Sequence, residues 1–438
     1  MPETITAVGP EPEWAALVAI DWGDQKHCWE LLAAGSEQPE KGELKHTPEA
    51  VNDWAMQLYQ RFGGRPVAVC LEQSRGALVY QLCKYPHLVL YPVHPNTAAQ
   101  FRLALHPSGA KSDPGDTSVL LQLLRYHRGS LHRLDPDTPE TRLMKILVEQ
   151  RRDLVDEKTR VSNRITAWLK IYYPQALDWI DDIDSAMGCD FLEKWPTLER
   201  LQTAKPNVLA RFFRAHNCRS EDRIQQRINA IYEAQPAIND PAMLEGGPAC
   251  VRTMVRQAKV LADGIAELEK RIQQLVAEHP DGPLFASFPG LGQALLPRVI
   301  VAFGTKRDRF ADAEEVQRCT GIAPITKTSG KTKFVQMRHA CPQFTRQTFV
   351  EWAAHSLATS EWARAFYDLK RAGKMKHFAI VRELAFKWQR IATACWKKGQ
   401  PYDEQVYLAS LRRHGSPLAT RVQWTTVAGF SKPTAKTA

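Results

Sequence analysis

Cysteine is sparse and scattered in this 438-residue chain. The nine cysteines, Cys28, Cys70, Cys83, Cys189, Cys218, Cys250, Cys319, Cys341 and Cys395, form no CxxC pair. An odd, dispersed set of this kind argues against a disulfide framework and a zinc site, and for a reducing cytosol. Long apolar runs are missing too, so no segment reads as a transmembrane helix and no membrane partner is expected. The opening "MPETITAVGPEPEW" has no basic stretch followed by an apolar one and does not read as a signal peptide. No Ser-His-Asp spacing is recognisable. Acidic residues thin out late in the chain: residues 301–438 hold 24 Lys+Arg against 10 Asp+Glu, a net +14, which leaves the first 300 residues at −4 within a total of +10. A basic C-terminal third points to a polyanionic partner, nucleic acid before membrane.

What is present is ordinary globular composition, 44% hydrophobic and 24% charged, enough for several domains. Residues 1–12 read as disordered. Residues 13–130 read as an α/β domain in the order β-β-β-α-β-α-β-α. "ALVAIDW" is a short buried strand ending in Asp21, "HCWELLA" and "GELKHT" follow as hairpin strands, and Thr47-Pro48 starts a helix carrying Val51, Trp54, Ala55, Leu58 and Tyr59 on one face. "PVAVCLE" is a buried strand ending in Glu72, "HLVLYPV" another, and a last helix is expected from near Asp113. This is the ribonuclease-H-like order.

Residues 138–280 read as helical. Thr138-Pro139-Glu140 is a helix start, with Leu147, Leu154, Val161 and Trp168 recurring at seven up to about Tyr173. Residues 175–245 look irregular, with short helices. Then Val251, Ala258, Ile265 and Ile272 alternate with Met254, Leu261, Leu268 and Leu275, four heptads with both seam positions apolar. The seam fits either a hairpin with the 140–173 helix or a coiled coil with a second chain. Residues 281–414 read as a mainly α domain, and 415–438 as a flexible tail.

Strand ends and helix starts are where acids do chemistry in open sheets. Asp21 and Glu72 end strands expected to be adjacent, and "KSDPGDTS" puts Asp113 and Asp116 three apart at a helix start, on one side. Four such carboxylates repel one another unless a divalent ion, Mg²⁺ (or Mn²⁺), neutralises them, and two ions can clamp an in-line phosphoryl displacement. Each residue alone reads equally as a cap or a turn. Asp24 and Glu30 are read as surface residues.

In the C-terminal third, Pro289-Gly290-Leu291-Gly292 precedes an apolar helix. It resembles the turn of helix-hairpin-helix modules, whose backbone N–H groups grip phosphate, though a plain helix start fits as well. Ser329 lies before Gly330 in "GIAPITKTSGKTK", among Lys327, Lys331, Lys333 and Arg338. A free hydroxyl needs activation to attack, and His339 is a weak base candidate. On chemistry alone Ser329 reads as a phosphate contact more readily than as a nucleophile. Lys370, Arg371, Lys374 and Lys376 form an exposed basic turn suited to a nucleic-acid backbone, while Trp352, Trp362, Phe366, Trp388 and Trp396 read as core.

Taken together, "AID", "LEQSRG", "KSDPGD", "FPGLG" and "GIAP" with its following Ser-Gly resemble the bridge-RNA-guided insertion-sequence transposases or recombinases, over residues 16–410 or so. That resemblance implies an N-terminal DEDD RuvC-like domain, with its metal-binding acids at Asp21, Glu72, Asp113 and Asp116, and a C-terminal transposase domain with its nucleophile at Ser329. It implies a covalent phosphoserine reversed by the freed 3′ hydroxyl, donor and target double-stranded DNA as substrates, and a structured bridge RNA as guide. It also implies dimers assembling to tetramers, with the acids of one protomer completing the serine site of another, and action in the bacterial cytoplasm at the nucleoid. Two departures stand out: "DWGDQK" follows the first acid where many members have Ser-Lys, and Arg75 is extra before Gly76. Two alternatives remain: a metal-dependent RuvC-like nuclease or junction resolvase that uses water, and a non-catalytic nucleic-acid binder.

Overall fold

The computed structural model describes residues 14–105, 113–330, 332–339 and 341–418. The disordered N-terminus, Lys331 and most of the flexible tail expected above lie outside the described residues, as does the side chain of Asp113. The chain divides into two compact units, residues 1–136 and 137–438: a mixed α/β sheet domain, then a mostly helical region.

In the first unit, β1 (Ala16–Asp21), β2 (Lys26–Ala33), β3 (Glu40–Lys45), β4 (Val67–Leu71) and β5 (Leu88–Pro92) form one sheet in the order β3-β2-β1-β4-β5. The first three pair antiparallel, and β1, β4 and β5 run parallel. The parallel strands are buried along their length because helices cover both faces. On one face lies α1 (Pro48–Phe62), capped by the Thr47 hydroxyl, which accepts from the Ala50 N–H. Val51, Trp54, Ala55 and Leu58 are buried as expected, whereas Tyr59 is 48% exposed. The same core takes in α2 (Ala77–Leu82). The other face is covered by α4 (Asp113–His127), with α3 (Pro95–Leu105), a helix absent from the sequence reading, packed beside it.

The second unit is organised by two long helices, α5 (Pro139–Tyr172) and, after α6 (Ala176–Trp179), α7 (Ala186–Lys194), α8 (Leu198–Gln202), α9 (Pro206–Ala215) and α10 (Glu221–Glu233), α11 (Pro241–Glu278). They pack antiparallel within the chain, and Arg151 Nε donates to Glu269 Oε1 at 2.8 Å across the pair. The heptad seam is therefore taken by α5: Val251, Met254, Ala258, Ile272 and Leu275 are buried, while Leu261, Ile265 and Leu268 in its middle are half-buried. One end of the pair builds a core with α6–α10. The other end supplies Met144, Val148, Ile272 and Leu275 to the core of the C-terminal part.

That part contains α12 (Gly282–Ala286), α13 (Leu296–Phe303), α14 (Ala313–Cys319), a hairpin of β6 (Ile325–Ser329) and β7 (Thr332–Gln336), then α15 (Gln343–Ser356), α16 (Glu361–Ala372), α17 (His377–Lys398) and α18 (Glu404–Arg413). Trp352, Trp362, Trp388 and Trp396 are fully buried and Phe366 nearly so. Three of these four indole N–H groups find partners: Trp352 donates to the Pro289 carbonyl, Trp362 to the Tyr402 hydroxyl and Trp388 to Ser356 Oγ, whereas the buried Trp396 N–H has none.

Candidate functional site

The first unit gathers acids at one edge of its sheet. Ile20 pairs with Leu71 in the parallel β1–β4 ladder, so the next residues, Asp21, still paired with Cys28 of β2, and Glu72, stand side by side at the strand ends. Helix α4 begins at Asp113 and crosses β1, β2 and β4. Asp116, in its first turn, is only 3% exposed. Three of the four acids singled out in sequence are thus carried to one corner of the unit by strand register and a helix start.

A residue missed in sequence sits among them. Arg102, on α3, places Nε 2.7 Å from Asp116 Oδ1 and Nη2 3.8 Å from Glu72 Oε1. The closer contact is one of charge alone. Arg102 Nε and Asp116 Oδ1 are both buried and neither makes a hydrogen bond, because the N–H is not aimed at the oxygen. Glu30 is the second omission, and the reading of it as a surface residue is corrected: it is 3% exposed. It faces α4 from the middle of β2, where Ser118 Oγ donates to it at 2.6 Å, Thr117 Oγ1 lies at 3.4 Å and Lys41 Nζ at 3.5 Å. Glu30 ties down the helix turn that carries Asp116. Alternation would have placed it: Glu30 sits opposite Ala19, buried on the α4 face. Asp24 is exposed.

The donor set at this corner is all carboxylate oxygen, which suits a hard divalent cation, and Asp116 Oδ1 has unused hydrogen-bonding capacity. Among the described residues no group of three His, Cys, Asp or Glu is disposed to hold a metal ion. In this arrangement the Arg102 guanidinium provides positive charge between Glu72 and Asp116. Nearby Cys70 is inert: burial, with the Glu72 charge adding, pushes its thiol up to about 12.

In the second unit, the segment read as a serine loop is a β-hairpin, and Ser329 is the last residue of its first strand. Ser329, Lys327 and Lys333 are all exposed. The hairpin is anchored at its base. Gly321 has φ +77° and a Cβ there would fall 2.3 Å from Cys341 Sγ. Arg346 Nη1 donates to the Arg338 carbonyl at 2.7 Å, and Arg338 Nε to the Ala323 carbonyl at 3.4 Å. Arg338 is half-buried and helps close the base. His339 lies beyond the far end of β7 from Ser329, about 16 Å for a five-residue strand, so it is not placed as the serine's base within this unit.

The glycine turn before α13 is a packing feature on one side. Gly290 has φ +80° and its Cα lies against the Ser356 backbone N–H, where a Cβ would approach to 2.8 Å. Gly292 is exposed, and α13 begins four residues later at Leu296. In the basic turn, Lys370 is half-buried and pairs with Glu383 at 2.8 Å, while Arg371, Lys374 and Lys376 are exposed. Among the described residues no helix is long and apolar enough to cross a membrane.

Residues 18–174 match the model of the IS110 DEDD transposases, described as Transposase, and residues 282–368 match the model described as Transposase IS116/IS110/IS902 family. The IS117 mini-circle protein of Streptomyces coelicolor is 27% identical over 409 residues, which span 92% of this chain and 98% of that protein. The insertion element IS110 uncharacterized 43.6 kDa protein of the same species is 25% identical, over 89% of this chain and 96% of its own. The insertion element IS900 uncharacterized 42 kDa protein of Mycobacterium paratuberculosis is 22% identical, over 83% and 85%. With both models matched in order on one chain, and relatives aligned along most of their length, the protein belongs to the IS110/IS116 family of insertion-sequence transposases.

Proposed function

We propose that this transposase cuts and rejoins donor and target DNA through a covalent serine–DNA intermediate, guided by a structured RNA. The observation that carries the reading is Ser329, exposed at the tip of a hairpin that presents Lys327 and Lys333. Ser329 Oγ attacks a phosphodiester, forming the Oγ–P bond as the P–O3′ bond breaks. The serine gives up its proton and the departing 3′ oxygen takes one. The 3′ hydroxyl of the exchanged strand later reverses the step. Lysines beside the serine hold the phosphate and offset its developing charge.

Asp21, Glu72, Asp113 and Asp116 would hold Mg²⁺ or Mn²⁺, whose role is to neutralise phosphate charge and polarise the attacked bond. The sheet order β3-β2-β1-β4-β5, with Asp21 and Glu72 leaving adjacent strands, supports a RuvC-like reading of the first unit. For the metal to bind there, Arg102 must release Asp116. Protomers would work in pairs, the acids of one serving the serine of another.

The test is co-purification of the protein with its RNA, sequencing of that RNA, and incubation with end-labelled DNA. Wild-type protein should give an adduct that survives denaturing electrophoresis, and Ser329→Ala should give none while still binding RNA. Recombination retained by Ser329→Ala removes the serine from the mechanism. Free 5′-phosphate ends without an adduct would instead establish water as the nucleophile.

A further inference from the structure

The register of the serine hairpin places an aromatic ring beside the candidate nucleophile. Ser329 pairs with Thr332, Lys327 with Phe334 and Ile325 with Gln336, while Thr328 pairs with Lys333 and Thr326 with Val335. Side chains alternate along a strand and directly opposed residues share a face. One face therefore carries Ser329 and Thr332 at the tip, then Lys327 and Phe334 one rung down, about 6.6 Å along the strand. The other carries Thr326, Thr328, Lys333 and Val335. Both faces are open, and Phe334 is 60% exposed. Phe334, a large apolar ring on a projecting hairpin, is left largely uncovered by its own unit, and an isolated hairpin is marginal in water.

We propose that Phe334 is a positioning residue that stacks on a base of the DNA strand whose phosphate meets Ser329, with Lys327 between them on the backbone. The proposal rests on the serine reading above and extends it. The charge around the ring selects the occupant. Lys327 is directly opposite on the same face, Lys333 adds charge from the other face, and both are exposed, which suits a polyanion and opposes a basic partner. Every base offers a π face, so an aromatic side chain paired with a lysine grips a strand without reading sequence. That fits a protein whose target choice is delegated elsewhere. Holding the neighbouring base one rung away sets the scissile phosphate over the serine.

The full-length protein should be titrated into a short single-stranded oligodeoxynucleotide carrying 2-aminopurine at regular intervals, and into its duplex and RNA counterparts. Wild-type protein should quench the 2-aminopurine. Phe334→Ala should lose the quenching and bind the DNA strand roughly 5- to 100-fold more weakly. Phe334→Trp should restore both and Phe334→Leu neither, which separates stacking from simple apolar contact. Unchanged quenching in Phe334→Ala overturns the proposal. So do equal results for the Leu and Trp variants, a loss confined to the RNA oligomer, or a loss of oligomeric mass in place of DNA binding. Ser329→Ala should quench like wild type. A serine that proves not to be the nucleophile would then leave the stacking result standing, and a null stacking result would leave the adduct assay standing.

Discussion

Arg102 Nε lies 2.7 Å from Asp116 Oδ1, both atoms buried and neither in a hydrogen bond. The pair is held by charge and by the packing of α3 against α4 rather than by directed bonding. Its value is conditional, because a misaligned buried pair recovers less of its desolvation cost than an aligned one. A better cation at the same acids would displace the guanidinium.

Arg102→Gln should therefore leave buried Asp116 without its guanidinium partner and destabilise the first unit by roughly 3–5 kcal/mol. A thermal melt should show the loss, and millimolar MgCl₂ should recover more of it in the variant than in wild type. Equal melting with and without the cation in both proteins would mean that Arg102 and metal do not compete.

Glu30 holds the α4 turn through Ser118 at 2.6 Å. Glu30→Ala should cost about 1–3 kcal/mol, since it removes the charged acceptor of the half-buried Ser118 and buried Thr117 hydroxyls. Ser118→Ala should cost less, and the double variant less than the sum of the two. Strictly additive melting shifts would show that the contact carries no energy.

His27 is fully buried at the start of β2. Its Nδ1 accepts from the Gly23 N–H at 3.1 Å, so Nε2 carries the proton and donates to His46 Nδ1 at 2.8 Å. Burial, with His46 adding, lowers its pKa to about 4. The unfolded chain binds this proton below about 6.5 and the fold resists it until about 4. The stability involved is present in full above the higher value and is lost as pH falls between the two, on the order of 3 kcal/mol at most. Melting temperature should fall through that window, and His27→Gln should melt lower at neutral pH but with a shallower acid slope.

Gly290→Ala should destabilise the C-terminal core by about 1–3 kcal/mol, combining a positive φ with a clash at the Ser356 backbone. Gly292→Ala, at an exposed position with nothing within 4 Å of the added Cβ, should melt within about 0.5 kcal/mol of wild type. If Gly292→Ala weakens DNA binding while its melting is unchanged, the exposed side of this turn meets phosphate.

Local chemistry made much of this protein legible in its sequence. Apolar runs ending in Asp21 and Glu72, the Thr47 and Thr138 caps with prolines behind them, and the buried tryptophans all follow from periodicity and capping, which act over a few residues. The hairpin escaped because its few apolar residues, Ile325, Phe334 and Val335, fall on both faces and give no hydrophobic alternation. Its signal was the two-residue Gly330–Lys331 break between β-branched runs. Tertiary structure alone decided the rest. The heptad seam of α11 was indifferent to its partner until α5 lay along it, Glu30 became buried only when α4 crossed β2, and Arg102 met Asp116 only when α3 packed beside α4. Each is a contact between residues distant in the chain, and the energy of such contacts depends on which surfaces meet, a quantity no local spacing encodes.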